Sequence, residues 1–284
     1  MSDTGSPRTP VENGELALLL EVTGTPKPGN VDRHRDHPDL RFEHFLAGAV
    51  GARRGLTLAA DPNRPLGEAF ERAVEGMRHQ RGGNTQFGAL LVLVPLVRAA
   101  SEGDLSPEGV ERVVADTTVD DAVSFYRAFE HVAVAVEDPP EGLDELDVRR
   151  GSGAEPALRE RGLTLADVMD LSADVDGVAA EWSAAFERTF EAAEWLLADD
   201  GPVPDRAARA FLGLLADEVD TFVVKTADRE RAVEATERAR AALDGEEDPE
   251  AMAAEFVDRG INPGTTADLT AGALFVALER GMVV

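Results

Sequence analysis

The two lysines of this chain lie in short polar segments whose residue types can bind phosphate. Lys27 lies in the segment of residues 25–39, and Lys225 ends another segment, residues 217–225. An ammonium group is a compact point charge that suits a phosphate oxygen, and a guanidinium does not reproduce its geometry. We therefore interpret both lysines as candidate phosphate ligands. The alternative is that two lysines persist by chance in a chain whose other strong bases are arginines.

The segment around Lys27 has the composition of a rigid loop between two helices. Its prolines and Gly29 favour turns that expose backbone N–H groups, and such a loop can hold a phosphate beside the lysine. Asp32 and Asp39 are suitable oxygen ligands for Mg²⁺. As a solvated loop residue, Lys27 should contribute little to folding stability. The alternative is an ordinary loop in which Asp39 caps the helix that follows.

A second segment, residues 82–88, places two glycines before a strongly apolar helix. The first N–H groups of a helix are unpaired and its dipole favours negative charge, so this helix start is a candidate anion site. Asn84, Thr85 and Gly88 are the residues that would contact a phosphate there. The alternative is that Asn84 or Thr85 only caps the helix.

A third segment, residues 260–269, repeats this arrangement before the last helix. Asn262 and Gly264 belong to the turn, and Asp268 follows one helical turn later. Asp268 can serve as an ordinary first-turn acid that complements the helix dipole. It can also reach into a site that is shared with the other loops, and the sequence leaves both readings open.

Together, these segments resemble the triphosphoribosyl-dephospho-CoA synthase family, whose members are known from citrate lyase and malonate decarboxylase gene clusters. The resemblance extends from about Glu15 to Glu279, and the Pro-Lys-Pro-Gly loop is its most specific part. It rests on the following stretches in chain order: Glu21-Val22, Thr25-Pro26-Lys27-Pro28-Gly29-Asn30-Val31-Asp32-Arg33, His37-Pro38-Asp39-Leu40, Gly83-Asn84-Thr85 with Gly88, residues 217–225, and Asn262-Pro263-Gly264 with Ala267-Asp268-Leu269.

The resemblance implies an all-helical enzyme that takes ATP and 3′-dephospho-CoA as substrates, with Mg²⁺ as the cofactor. Such an enzyme joins C1 of the ATP ribose to the 2′-hydroxyl of dephospho-CoA and releases adenine, through an oxocarbenium-like transition state that an acidic group assists. Matched to this chain, the catalytic residues are Asp32, His37, Asp39 and Asp268. The nucleotide and phosphate contacts are Lys27, Gly29, Asn84, Thr85, Gly88, Thr221, Lys225, Asn262 and Gly264, and the metal ligands are Asp32, Asp39, Asp217 and Asp220.

One departure from the family pattern concerns the second segment. Where the bacterial enzymes are expected to have histidine and lysine, this chain has Gln86 and Phe87. Phe87 cannot bind phosphate, although it could stack on a base. Two alternatives therefore stay open: a related ribosyl or nucleotide transferase with a different acceptor in another coenzyme pathway, and a non-catalytic nucleotide-binding helical protein.

Between these segments, the apolar residues recur mainly with the spacing of helices, which must therefore position the segments. We predict an all-α fold with a single compact domain over residues 13–284, a disordered tail over residues 1–12, and a surface loop over Glu137–Pro156. Pro95 should kink or end the buried central helix. The predicted helices cover Glu15–Glu21, Asp39–Leu58, Pro65–Met77, Thr85–Ala100, Pro107–Ala115, Val119–His131, Thr164–Asp170, Val175–Leu197, Asp205–Val224, Arg229–Leu243, Pro249–Asp258 and Thr266–Glu279.

The amino-acid composition limits which partners and which cellular location we expect for the protein. The formal net charge of −27 argues against nucleic acid and anionic membranes as partners, and we interpret it as adaptation to a cytoplasm of very high salt. The chain has no cysteine, which excludes disulfides and thiolate chemistry. The longest strongly apolar run, Gly88–Val97, is about half of the ~20 residues that a membrane span needs. We expect a soluble cytoplasmic protein, and a homodimer is compatible with the sequence.

Overall fold

The computed structural model describes residues 8–139 and 142–284. Their secondary structure consists of fifteen α-helices, two 3₁₀ segments (Asp144–Leu146 and Val148–Ala154) and one isolated β-bridge between Asp32 and Arg35. The prediction of an all-α fold is confirmed. The helices are α1 (Pro10–Thr23), α2 (Phe42–Ala59), α3 (Leu66–Met77), α4 (Phe87–Ser101), α5 (Pro107–Ala115), α6 (Val119–Ala128), α7 (Glu155–Arg161), α8 (Leu165–Ser172), α9 (Gly177–Ser183), α10 (Glu187–Ala198), α11 (Val203–Asp217), α12 (Thr221–Thr226), α13 (Arg229–Leu243), α14 (Pro249–Arg259) and α15 (Gly264–Glu279).

Two apolar helices, α4 and α15, form the centre of the molecule and pack against each other. Helix α4 also contacts α1, α2, α3 and α5, whereas α15 also contacts α1, α10 and α11. Residues 89–99 of α4 and 269–278 of α15 are buried without interruption. A helix that is apolar on all sides is stable only when other helices surround it. The predicted buried central helix is therefore confirmed, and α15 is its buried neighbour.

Helix α4 continues through Pro95 to Ser101, so that the predicted early stop at this proline is wrong. A proline has no N–H group, which leaves the carbonyl of Leu91, four residues earlier, without its usual helical donor. The indole Nε1 of Trp182 donates to that carbonyl at 3.1 Å. A side chain from α9 thus replaces the missing backbone hydrogen bond.

The predicted single helix Val175–Leu197 is two helices, α9 and α10, joined by a sharp bend. Ala185 and Phe186 have left-handed backbone conformations, with φ of 51° and 61°. The carboxylate of Glu181 accepts hydrogen bonds from the backbone N–H (2.9 Å) and the hydroxyl (2.6 Å) of Thr189. Glu181 therefore supplies the first turn of α10 with an acceptor, and helical periodicity alone does not reveal such a break.

The N-terminal boundary also differs from the prediction. Thr9 and Glu12 form a reciprocal capping box, and Pro10 is the first residue of α1, a position that suits a residue without an N–H donor. The predicted disordered tail over residues 1–12 therefore extends too far, because α1 already begins at Pro10. Residues 1–7 lie outside the described part of the chain.

The predicted surface loop Glu137–Pro156 contains both 3₁₀ segments and the start of α7. The hydroxyl of Tyr126 donates to the carbonyl of Leu146 at 2.7 Å, which ties this region to α6. Residues 140 and 141 lie outside the described part of the chain. In the part that is described, none of the helices is both long enough and apolar enough to cross a membrane.

Candidate active site

The first turn of α15 and the loop before it, residues 260–268, contact all three of the other segments that the sequence singles out. We call these residues the α15 entry segment. The side-chain amide of Asn30 donates to Asn262 Oδ1 at 2.9 Å. Asp268 packs against Gly88 at the start of α4. Asp220 accepts a hydrogen bond from the backbone of Thr266 at 2.8 Å. Segments that are far apart in sequence therefore meet at one place.

The loop of residues 25–37 is locked onto the α15 entry segment at Gly29. This glycine has φ of 75°, and a Cβ atom there would lie 1.9 Å from the carbonyl oxygen of Ile261. Only glycine fits both the left-handed conformation and the close approach. The carbonyl of Gly29 also lies 2.8 Å from Nε2 of His37. Gly29 and His37 thus hold the loop in place, and their predicted phosphate-binding and catalytic roles stay untested.

Asp32 is buried, and its carboxylate is fully engaged within its own loop. Oδ2 accepts hydrogen bonds from the Thr25 hydroxyl (2.9 Å), the Lys27 backbone N–H (3.3 Å) and Arg35 Nη1 (3.1 Å). Oδ1 accepts from the backbone N–H of His34 at 2.8 Å. A carboxylate with so many donors organises the loop. These donors occupy both oxygens of Asp32, and its predicted catalytic and metal-binding roles stay predictions.

Lys27 is not a solvated loop residue, because its side chain is 0% exposed. Its ammonium group forms an ion pair with Glu21 of α1, which is also buried, and donates to Asn30 Oδ1 at 3.0 Å. Burial raises the pKa of Glu21, and the charge of Lys27 opposes that rise. The expectation that Lys27 contributes little to folding is thus wrong. No site role was predicted for Glu21, although an acid at the end of an apolar helix is an unusual buried residue.

The N-termini of α4 and α15 meet at Gly88 and Asp268. Asn84 Oδ1 accepts the backbone N–H of Phe87 at 3.1 Å, so that Asn84 binds one N–H group of the first turn of α4, while its predicted phosphate contact stays a prediction. A Cβ atom on Gly88 would lie 2.0 Å from Oδ2 of Asp268, and the backbone N–H of Ala89 donates to the same carboxyl group. The glycine therefore allows Asp268 to approach the first turn of α4.

Among the carboxyl groups of this region, that of Asp268 has the most strongly raised pKa. Burial raises its pKa well above the ordinary value, and the negative charges of Glu21, Asp220 and Asp176 raise it further. The N–H group of Ala89 opposes the rise only in part. The side chain of Asp268 stays partly exposed. A carboxyl group of this kind can exist as the neutral acid at a pH where ordinary aspartates are ionised, which suits a proton-transfer role.

Asp220 joins α12 to α15, and both of its carboxylate oxygens accept hydrogen bonds. Its Oδ1 accepts the backbone N–H of Val223 at 3.0 Å, and its Oδ2 accepts both the backbone N–H and the hydroxyl of Thr266 at 2.8 Å. Burial raises the pKa of this carboxyl group. Next to it, the hydroxyl of Thr221 accepts the backbone N–H of Gly177 at 2.9 Å and lies 3.0 Å from the hydroxyl of Thr265.

Lys225 lies on the last turn of α12 and pairs with Asp176, a residue that the sequence analysis missed. Only 7% of the Lys225 side chain is exposed. Asp176 also accepts the backbone N–H groups of Val178 (3.0 Å) and Ala179 (2.9 Å), and thereby caps α9. The helix predicted over residues 175–197 includes Asp176, so the prediction did not recognise this residue as an N-cap. Gly177, next to Asp176, packs against Thr265 of the α15 entry segment, and the ion pair with Asp176 brings Lys225 to the same region.

The remaining predicted metal ligands do not reach this region. Asp39 is exposed and does not cap α2, because Asp36 Oδ1 accepts the backbone N–H of Phe42 at 2.7 Å. Asp217 is exposed at the end of α11 and lies 3.3 Å from Nε of Arg188. Across residues 8–139 and 142–284, no group of three or more acidic or histidine side chains is arranged to hold a metal ion. The structure therefore does not bring Asp32, Asp39, Asp217 and Asp220 together in one cluster, and their predicted metal binding stays a prediction.

The side chains of Gln86 and Phe87 both point into the protein. Phe87 packs edge-on against Phe70 and Phe129, with ring centroids 5.0 and 4.8 Å apart, and is 6% exposed. It is thus a core residue and does not stack on a substrate base. Gln86 is also buried. The two positions where the family pattern has histidine and lysine therefore place no charge in the site.

Comparison with known proteins gives a match over almost the whole chain. Residues 7–283 match the family described as CitG, ATP:dephospho-CoA triphosphoribosyl transferase. The chain belongs to this family. A crystal structure from Archaeoglobus fulgidus, provisionally described as triphosphoribosyl-dephospho-CoA synthase, is 27% identical with a TM-score of 0.67, and the match covers 83% of this chain and 99% of that one. Curated proteins give no significant match. The protein is thus an enzyme of the triphosphoribosyl-dephospho-CoA synthase type.

Proposed function

We propose that this enzyme transfers the triphosphoribosyl group of ATP to the 2′-hydroxyl of 3′-dephospho-CoA and releases adenine. In this reaction the bond between ribose C1 and adenine N9 breaks, and the bond between C1 and the acceptor oxygen forms. The proton of the hydroxyl group ends on the released adenine. The observation that carries the proposal is the carboxyl group of Asp268, whose pKa is raised and which lies where α4 and α15 begin.

The triphosphate is proposed to lie against the starts of α4 and α15, with Lys225 as its cation. The helix dipoles and the first backbone N–H groups of these helices favour an anion. Asn84 and Asp220 each accept one or two of these N–H groups, which leaves the others for the phosphate oxygens. Lys225 can exchange Asp176 for a phosphate because Asp176 is 34% exposed. Lys27 is proposed to act indirectly, since its ammonium group is buried with Glu21.

Asp268 is proposed to handle the proton that moves from the acceptor to adenine. Glycosyl transfer through an oxocarbenium-like transition state needs an acid beside the leaving group, and a carboxyl group with a raised pKa keeps its proton to a higher pH than an ordinary aspartate does. Burial and the neighbouring carboxylates supply that rise for Asp268. The other candidates are less suited: Asp32 and Asp220 are saturated with donors, and Asp39 is exposed.

Mg²⁺ is proposed as the counter-ion of the triphosphate. The residues fit such an ion, because the partly exposed carboxylate of Asp176 offers oxygen donors beside Lys225. Mg²⁺ keeps several waters and usually binds one or two carboxylates together with substrate phosphates. Asp176 is the carboxylate that would hold it, while Asp268 keeps its proton-transfer role. The ion would neutralise the phosphate charge, and the protein residues would orient the ribose.

The test is an assay of the products. Purified enzyme is incubated with ATP, dephospho-CoA and Mg²⁺ at high salt, and adenine is quantified by chromatography. We expect one adenine for each product molecule, and a product mass that contains ribose with the intact triphosphate. Adenine release that requires a cell extract but not dephospho-CoA would instead support a different acceptor. ATP binding without adenine release would reject the transfer reaction and favour a nucleotide-binding protein.

A further inference from the structure

A chain of polar side chains connects the end of α1 with the α15 entry segment. The ammonium group of Lys27 pairs with Glu21 and donates to Asn30 Oδ1 at 3.0 Å. The amide of Asn30 donates in turn to Asn262 Oδ1 at 2.9 Å. Only 6% of Asn30 is exposed, and Lys27 and Glu21 are buried as well. Asn30 is therefore the residue through which the buried ion pair reaches the start of α15.

The chemistry of Lys27 fixes the orientation of both amides. An ammonium group has donors but no acceptor, so that Asn30 turns its oxygen to Lys27 and its nitrogen to Asn262. An amide nitrogen is also only a donor, and Asn262 therefore meets it with its own oxygen. The reverse orientation of either amide would place two donors against each other. Asn262 is thus held with its Nδ2 group turned away from Asn30.

The Nδ2 group of Asn262 is a free donor at the start of α15. Within the described part of the chain it has no hydrogen-bond partner, and Asn262 is only half-buried, so that solvent or a ligand can reach the group. The carbonyl of Asn262 accepts the backbone N–H of Gly264, the first residue of α15, at 2.8 Å. Gly264 packs against Phe222 of α12, the helix that carries Lys225. The free donor thus lies at a helix start that we assign to the triphosphate.

We propose that Asn30 is a positioning residue, which holds the amide of Asn262 as a hydrogen-bond donor to a phosphate oxygen. The inference rests on the proposed function, which places the triphosphate at this helix start. Phosphate oxygens are strong acceptors, so that only the orientation with Nδ2 toward the ligand favours binding. Lys27 acts on the ligand through the same chain, because its charge fixes Asn30 and Asn30 fixes Asn262.

The test reverses the amide of Asn262 without removing it. In Asn30→Asp the new carboxylate has only acceptors, so it still accepts from Lys27, and Asn262 must rotate to donate its Nδ2 to it. The adjacent contact of Gly29 with Ile261 holds the two backbones together, which favours rotation of the amide over displacement of the loop. The oxygen of Asn262 then faces the ligand. We expect the affinity for inorganic tripolyphosphate, measured by calorimetry, to fall about tenfold to a hundredfold, because a hydrogen bond to a charged group is lost.

Two controls separate this effect from that of the added charge. Asn63→Asp adds the same charge at an exposed position between α2 and α3 and should change the affinity by less than about twofold. In the Asn262→Ala background the amide is absent, so Asn30→Asp should change the affinity by less than about threefold. Asn30→Ala, which adds no charge, is used if Asn30→Asp does not fold. It leaves the amide of Asn262 free to rotate, so we expect a loss of about threefold to tenfold, which is again absent in the Asn262→Ala background.

Steady-state kinetics give a readout that a purely structural role of Asn30 would not produce. The triphosphate stays on the transferred ribose, so a contact with it is made equally before and during the reaction. Loss of such a contact raises KM and leaves kcat unchanged. In Asn30→Asp the KM for ATP should therefore rise about as much as tripolyphosphate affinity falls, with kcat within about threefold of the wild-type value.

A folded Asn30→Asp protein that binds tripolyphosphate as tightly as the wild type would overturn the inference. A loss of affinity that is equally large in the Asn262→Ala background would also overturn it, because Asn30 would then act independently of Asn262. In both cases the wild type still binds tripolyphosphate, so that only the role of Asn30 is wrong and the proposed function stands. If the wild type binds neither tripolyphosphate nor ATP, both proposals are wrong.

Discussion

Replacing Lys27 by methionine removes one partner of a buried ion pair and leaves the carboxylate of Glu21 unpaired. Both side chains are buried, and the ammonium group also donates to Asn30 and lies 5.9 Å from the centre of the Phe211 ring. Removing one member of such a pair costs about 3–5 kcal/mol, because the remaining charge stays in a poorly solvated place. For a protein of this size, each kcal/mol lowers Tm by about 2–4 °C, so the expected fall is roughly 6–20 °C.

The effect should also depend on pH, since Glu21 can take up a proton. Burial raises its pKa, so the folded protein holds this proton at a pH where the unfolded chain, with an ordinary value of 4.5, has lost it. The resulting stability is present at low pH and is lost as the pH rises through the folded pKa. Lys27 opposes this rise, and its removal enlarges it. Lys27→Met should therefore be less destabilised at pH 5 than at pH 8.

The assay is thermal unfolding at both pH values, with Glu21→Gln/Lys27→Met as the double variant. The double variant should recover part of the loss, because it leaves no buried charge. Arg53→Met is the matched control: Arg53 pairs with Glu15 at 3.0 Å on the surface, and its loss should cost at most about 1 kcal/mol. A Lys27→Met protein with the wild-type Tm at both pH values would refute the assignment of a buried pair.

Three further perturbations test other parts of the account. Asp268→Asn should raise Tm by about 2–4 °C at pH 8 and by less at pH 4. The substitution removes a carboxyl group whose ionised form is unfavourable in the folded protein, as its raised pKa indicates. An unchanged Tm at pH 8 would contradict this. Asp220→Ala should lower stability by about 2–4 kcal/mol in urea unfolding, since it frees donors of α12 and α15, whereas exposed Asp217→Ala should change it by less than about 0.5 kcal/mol. Raising KCl from 0.1 to 2 M should raise Tm if self-repulsion at a net charge of −27 limits stability, and a lower Tm would reject the interpretation as salt adaptation.

The fold could be predicted largely from helical periodicity and capping residues. Helix α13, over Arg229–Leu243, begins and ends where the pattern predicts it. The errors occur where tertiary contacts override the local signal. Nothing in the sequence near Pro95 shows that an indole from another helix replaces its missing hydrogen bond. Likewise, the bend at Ala185 depends on Glu181 and on a left-handed backbone that alanine rarely adopts.

The site was predictable as a set of segments but not as a set of roles. Gly-rich turns before apolar helices indicated where ligands could bind, and the α15 entry segment does bring those turns together. The role of each carboxylate depends on its donors, which come from distant residues. Asp32 and Asp220 look like free ligands in the sequence, but four donors bind Asp32 and three bind Asp220. Asp176 went unnoticed because its function as a cap depends on where α9 begins.

The central claim is that the carboxyl group of Asp268 transfers the proton that the triphosphoribosyl transfer requires. The most direct measurement is the rate of adenine release by Asp268→Asn, with ATP, dephospho-CoA and Mg²⁺ at saturating concentrations. The amide has nearly the same shape but cannot transfer a proton, so we expect a loss of at least about a hundredfold with tripolyphosphate affinity retained. The Asp217→Asn control, on the exposed end of α11, should keep the wild-type rate. If Asp268→Asn releases adenine within tenfold of the wild-type rate, the claim is wrong.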